Sequence, residues 1–250
     1  MVLLQLNGEV DGIHNSSTNL IPPGITIGDS VTAICVYDSG STPFGTSSNT
    51  WYSNPLLYCQ VSIRSYDWNY IGRTDSKISC SDNDDFTTDQ LIFSGRGYGT
   101  NGFPYATDTS WQITPLYAYD DKGVMLDSAY ITDLPDSFSP ELSEELVGWV
   151  RTDIPLNPRW DIRYTIAPES VTFIPMPPPI LSQPTYSNDT LSVIISNLVP
   201  SLAYVVESVS VLGDTNWQPI VSYTDLMNLA PQPFSVEITE NKKYIRIRGQ

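Results

Sequence analysis

Apolar and polar residues alternate with period two along most of this chain. That is the mark of half-buried strands rather than helices. The alternation predicts strands over 2–10, 30–37, 56–65, 76–81, 90–95, 110–119, 124–131, 160–166 and 169–174. Turn-forming clusters separate them: Pro22-Pro23-Gly24, Asp38-Ser39-Gly40, the glycine-rich run Gly95 to Gly102, and Asp120-Asp121-Lys122-Gly123. Each pairs residues that tolerate positive φ or preset a bend. Short strands at this spacing predict a β-sandwich. One segment departs from the pattern. Ser139-Pro140-Glu141 offers an N-cap, a proline in the first turn and an early carboxylate, and Leu142, Leu146 and Val147 follow at helical spacing. A short surface helix is expected at 140–147.

Pro175-Met176-Pro177-Pro178-Pro179 interrupts the alternation altogether. Such a run favours the polyproline II helix and cannot sit inside a sheet. The chain is therefore divided into a larger sandwich at 1–174, a stiff linker at 175–180 and a smaller sandwich at 181–250. The smaller one carries predicted strands at 190–196, 202–211, 216–223, 233–239 and 243–248. The fold class expected is all-β, two β-sandwich domains in tandem.

Composition narrows the function. The 250 residues carry 12 basic against 28 acidic side chains, a net charge of −16. So acidic a surface repels phosphate backbones and excludes nucleic acid as a main partner. The single histidine, His14, stands in a polar stretch read as a loop, so zinc sites built from several histidines are impossible. Gly-x-Ser-x-Gly is absent, and the glycine-rich run lacks the lysine of a phosphate-binding loop. No apolar run approaches the ~20 residues of a membrane-spanning helix. Few lysines and many Ser, Thr, Asn and Tyr favour a secreted protein whose leader has been removed.

Four groups of residues carry candidate chemistry, each with a plainer alternative. Asp82, Asp84, Asp85 and Asp89 place oxygen ligands in one stretch, which suits Ca²⁺; the alternative is a solvated turn. Trp51, Tyr66, Trp68 and Tyr70 fall around two expected loops and could stack on a glycan; the alternative is packing in core or edge strands. Cys59 and Cys80 sit in strands flanking a turn read at Asp67 to Asp75, and a hairpin there would bring them within disulfide reach. The alternative is three buried thiols, Cys35 included, acting as small hydrophobes. Finally, Val2, Leu3, Leu4 and Leu6 form an apolar opening strand. It either completes its own sandwich or is lent to a neighbouring copy by β-strand addition, which builds fibres when the contact runs head to tail.

Leu6-Asn7-Gly8-Glu9-Val10, Ile27-Gly28-Asp29-Ser30-Val31, Val36-Tyr37-Asp38-Ser39 and Ile78-Ser79-Cys80-Ser81-Asp82-Asn83-Asp84 occur in an order that resembles the extracellular β-sandwich of PEP-CTERM surface proteins. The resemblance covers residues 4–95 and fades by about 165. The Pro-Glu-Pro tail, membrane helix and basic end that name that family are not in this sequence, so sorting and anchoring are not implied. Tyr204-Val205-Val206-Glu207-Ser208, Asn216-Trp217-Gln218-Pro219-Ile220 and Tyr244-Ile245-Arg246-Ile247-Arg248 resemble a small fibronectin-III-like module of secreted bacterial proteins. Together the resemblances imply a secreted, noncatalytic structural protein of a bacterial surface or matrix. Its expected partner is itself, as an oligomer or fibre. The second expectation is a polysaccharide-binding adhesion module, with calcium as its one candidate cofactor.

Overall fold

The computed structural model describes residues 1–15, 22–71, 76–83, 88–98, 110–122, 125–138, 145–152, 160–224, 226, 228–238 and 244–249. The described chain is all-β, with a single 3₁₀ turn at Pro168–Ser170. Its contacts divide it into two compact units, Met1–Pro175 and Met176–Gln250.

The first unit holds β1 (Val2–Asn15), β2 (Ser30–Tyr37), β3 (Phe44–Thr46), β4 (Asn49–Ser53), β5 (Leu56–Ile63), β6 (Tyr66–Ile71), β7 (Ser76–Asn83), β8 (Thr88–Tyr98), β9 (Ser110–Asp120), β10 (Glu145–Thr152), β11 (Trp160–Ile166) and β12 (Thr172–Pro175). These form one antiparallel sheet in the order β3-β4-β7-β8-β9-β10-β11-β1-β2-β5-β6, with β12 attached to β1. The sheet curls until β6 meets β8, and inward side chains such as Leu4, Leu6, Val61, Trp68, Phe93, Leu116 and Tyr164 fill the interior. Two buried glycines make room for buried rings. A Cβ at Gly148 would lie 2.3 Å from the Tyr164 ring, whose hydroxyl donates to the Pro115 carbonyl at 3.1 Å. A Cβ at Gly95 would crowd the Tyr70 ring at 3.2 Å.

The second unit holds β13 (Ile180–Ser187), β14 (Thr190–Ser196), β15 (Tyr204–Val209), β16 (Gln218–Tyr223), β17 (Gln232–Glu237) and β18 (Tyr244–Gly249). They form two three-stranded sheets, β13-β14-β17 and β16-β15-β18. Val193, Ile195, Phe234 and Val236 from one sheet and Tyr204 and Val206 from the other make a small core. Asn188 and Asp189, at φ 49° and 60°, turn β13 into β14 as the two central residues of a primed hairpin.

Several sequence expectations are corrected here. Residues 145–147 belong to β10, paired with β9 and β11, and not to a helix; 139–144 lie outside the described residues. The spacing of Leu146, Val147 and Val150 fits either period, and two flanking ladders decide for the strand. Tyr66–Ile71, read as the start of a turn, is β6: Trp68 and Tyr70 point inward while Asp67 and Asn69 occupy the other face. Ile180–Ser187 is a strand that begins at the last residue assigned to the linker. Residues 125–131 form turns and bends rather than a strand. The opening segment lies inside its own sheet. Val2, Leu3 and Leu4 pair with β12 on one side and β2 on the other, and Leu6 faces Ala33 of β2 with its side chain buried.

Candidate functional site

Side chains on the outer face of the curled sheet converge where β9, β10, β11 and β1 run side by side. Arg151 lies opposite Gln112 on one neighbour and Asp161 on the other, and Asp161 lies opposite His14. Trp149 lies opposite Thr114 and Arg163, and Arg163 lies opposite Gly12. Two bulges re-aim this row. One is the register shift between Val10 and Gly12, and the other lies between Val147 and Trp149, opposite Pro115, which has no N–H to give the ladder. The imidazole lies beside Gly12: a Cβ there would stand 3.6 Å from His14 Nε2, in ordinary van der Waals contact.

The result is an open cleft of about 190 Å³ lined by His14, Trp149, Arg151, Asp161 and Arg163. Arg151 Nε donates to Gln112 Oε1 at 2.8 Å, which fixes the guanidinium plane. Arg163 bonds Glu145 at 2.8 Å and lies 3.7 Å from Asp11, so its charge is offset at the rim. The Tyr117 ring packs against Trp149 with centroids 5.8 Å apart, and Gln90 donates to the Tyr117 hydroxyl at 3.0 Å. The Trp149 indole N–H has no hydrogen-bond partner among the described residues. A second open depression of about 500 Å³ follows along the same strands, lined by Asn7–Glu9, Ser30–Thr32 and Thr165–Ala167. Thr165 is two residues beyond Arg163, so on an extended strand the two side chains share one face about 7 Å apart.

Planar polar side chains beside an aromatic ring suit a ligand with many hydroxyls and apolar faces. Among the described residues the cleft lining contains one carboxylate, Asp161. Glycoside hydrolysis uses two that flank the bond.

The residues singled out in the sequence are distributed differently. Of the expected glycan set, Trp68 and Tyr70 are core residues, each 2% exposed. Tyr66 is half-buried, with its hydroxyl donating to the Pro23 carbonyl at 3.1 Å. Trp51 alone is exposed, at 40%, opposite Phe44 on β3. Of the expected calcium ligands, Asp82 and Asp89 are register partners at the ends of β7 and β8, and Asp120 of β9 is the next in that row. All three are buried rather than looped into solvent. Leu126 N–H bonds Asp89 at 2.8 Å and Lys122 N–H bonds Asp120 at 3.1 Å. Asp84 and Asp85 lie outside the described residues, among which no group of three or more potential metal ligands gathers.

The three cysteines are free, buried thiols, so the expected Cys59–Cys80 bond is not formed. The hairpin that was to join them does not exist, because β5 turns directly into β6 at Arg64 and Ser65. Cys59 faces Cys35 on β2, while Cys80 faces Thr50 and Leu91. Burial pushes the Cys80 thiol up to about 12 and holds Cys35 well above the ordinary range. Neither is a nucleophile near neutral pH. His14 is on β1, not in a loop.

The cleft escaped sequence reading because His14 comes from β1, far along the chain from Trp149, Arg151, Asp161 and Arg163 of β10 and β11. The local trace is the alternation of Trp149-x-Arg151 and Asp161-x-Arg163, which marks outward positions of adjacent strands. No protein-family model, curated protein or solved structure matches this chain.

Proposed function

We propose that this protein is a secreted, noncatalytic β-sandwich module that holds a polysaccharide on the outer face of its first unit. The observation that carries the reading is the Trp149 cleft with Arg151, Asp161, Arg163 and His14, continued along β11 and β1 by a second open depression. An extended, shallow, one-sided surface favours a chain-like ligand over a small enclosed substrate. The aromatic ring offers a stacking platform, and Gln112 holds the Arg151 guanidinium in a fixed plane beside it. A single carboxylate among the described lining residues supports binding without bond cleavage. Residence at a bacterial surface or in a matrix, and the tandem arrangement of two sandwiches, belong to this proposal and follow the resemblances of both halves. Self-association remains the second role; in the single chain Val2–Leu4 pair with β12 and Val2–Leu6 with β2, so lending them would require those ladders to open.

The test is affinity electrophoresis through gels containing soluble neutral and acidic polysaccharides. Retardation in at least one gel is expected, with Trp149→Ala and Asp161→Ala abolishing it while far-ultraviolet circular dichroism stays unchanged. Unretarded migration in every gel overturns the proposal.

A further inference from the structure

We propose that Cys35 and Cys59 form a cross-strand disulfide when the chain folds in contact with a small-molecule disulfide, leaving Cys80 as a thiol. The inference is independent of the polysaccharide reading. The two cysteines are register partners on adjacent antiparallel strands, β2 and β5. Directly opposed side chains in such a ladder project from the same face with Cα separations of about 4.5–5.5 Å, within the range a disulfide spans, and their Cβ atoms, about 4.5–5.5 Å apart, need close by only about 1 Å for the bond. Both point into the core, 0% and 1% exposed, and Cys59 beside it adds to the burial that holds the Cys35 thiol protonated. The ladder runs without a shift from Val31↔Ile63 through Val36↔Tyr58, so their opposition is set by five flanking pairs rather than by a loop. Cys80 has no such partner in its own rows, where it faces Thr50 and Leu91.

The chemistry precedes burial. In the finished fold the Cys35 thiol is fully enclosed and held protonated, so the attacking thiolate belongs to a chain whose β2–β5 ladder is still forming. One cysteine thiolate attacks a sulfur of oxidised glutathione, forming a mixed disulfide and releasing one glutathione thiolate. The second cysteine, losing its proton to solvent, attacks the protein sulfur of that mixed disulfide. The Cys35–Cys59 bond forms and a second glutathione leaves. Two thiols are oxidised and one disulfide is reduced.

The experiment is refolding of the whole chain in a glutathione redox buffer, followed by denaturation, alkylation and peptide mapping without reductant. A Cys35–Cys59 linked peptide pair, a mass lower by two hydrogens and one alkylated residue, Cys80, are expected. Cys80→Ser leaves no alkylatable thiol, whereas Cys35→Ser and Cys59→Ser each leave two. Closing this loop raises the melting midpoint of the first unit by on the order of 10 °C over the reduced chain. Three alkylated cysteines after oxidative refolding, or a linked Cys59–Cys80 pair, overturn the proposal. Because mapping uses the native sequence, it reads the bond even where a serine variant folds poorly.

Discussion

The two units solve the same problem at different sizes. In the first, one sheet curls over an interior large enough to swallow Trp68, Tyr70, Tyr164 and three thiols. In the second, two three-stranded sheets enclose little more than a handful of aliphatic side chains, Phe234 and Tyr204. A small domain buries a smaller share of its surface, so it needs other cover. Here the middle strand β15 is buried along its whole length, and Glu207 at its outer face is held by Arg246 at 2.8 Å and Arg248 at 3.1 Å. Arg246 also lies 4.0 Å over the Trp217 ring. Long side chains with charged ends thus roof a strand that the core cannot cover. Charge follows the same division. Only six of the 28 acidic residues follow Pro175, against four of the 12 basic ones, so almost all the net negative charge belongs to the first unit. Packing secures the large unit, and an ionic roof adds to packing in the small one.

The following measurements break or sharpen that contrast, beginning with hydrogen exchange read by mass spectrometry, which reports each unit separately. The largest effect is expected from Gly148→Val. Its side chain would occupy the space of the Tyr164 ring, and the first unit should lose protection throughout while the second keeps it. Next comes Trp68→Ala, which leaves a cavity in a closed interior and should cost about 3–5 kcal/mol. Trp51→Ala, on the exposed face, should cost within about 0.5 kcal/mol, and an equal cost for the two would show that the sheet does not close.

A smaller effect comes from acid. Burial alone would raise the Glu207 carboxyl, but its hydrogen bonds to Arg246 and Arg248 outweigh this and hold it below its ordinary 4.5. The hydrogen bond to Arg64 and the Thr26 N–H hold Asp29 below 3.8. A carboxyl depressed by folding binds fewer protons folded than unfolded. Its contribution is therefore present above the unfolded pKa and lost as pH falls through the folded one, between roughly pH 5 and pH 2. Thermal melts across that range should show Glu207→Gln flattening the acid limb of the second unit and Arg64→Ala that of the first. If Glu207→Gln leaves the acid limb of the second unit unchanged, the roof contributes nothing. The smallest change is Asp189→Gly. It relieves a positive φ of 60° but forfeits the Tyr186 hydroxyl bond of 2.9 Å, and the net should lie within about 0.5 kcal/mol by chemical denaturation.

Strands were legible where one face is apolar and the other is not. Val31, Ala33, Cys35 and Tyr37 alternate inward on β2, and Ile78 and Cys80 do so on β7. The alternation misled where outward residues are themselves turn formers. Asp67 and Asn69 disguised β6, whose inward Trp68 and Tyr70 were then taken for loop aromatics. β13 was illegible for another reason. Pro184 and the positive φ of Gln183 sit in a bulge, and most of its side chains face solvent, so little apolar signal remains. At β10 the sequence supports two periods, and only the tertiary ladders choose between them. The candidate cleft could not be read as a motif. Curling and register bring His14 beside Asp161, and no local spacing encodes that adjacency.

The place of β1 bears on how the molecule is made. Asn7 takes its backbone partners from Ser170 and Ala167, the former 163 positions downstream. During synthesis the earliest strand therefore emerges long before one of its two flanks has been translated. Until then it exposes Leu4 and Leu6 on a ladder with one side open, a state that invites pairing with a neighbouring nascent chain. Closure of the sheet waits on the release of residues near 175 from the ribosome. Slowing translation beyond β9 should therefore lower the yield of correctly folded protein more than the same delay placed within the second unit.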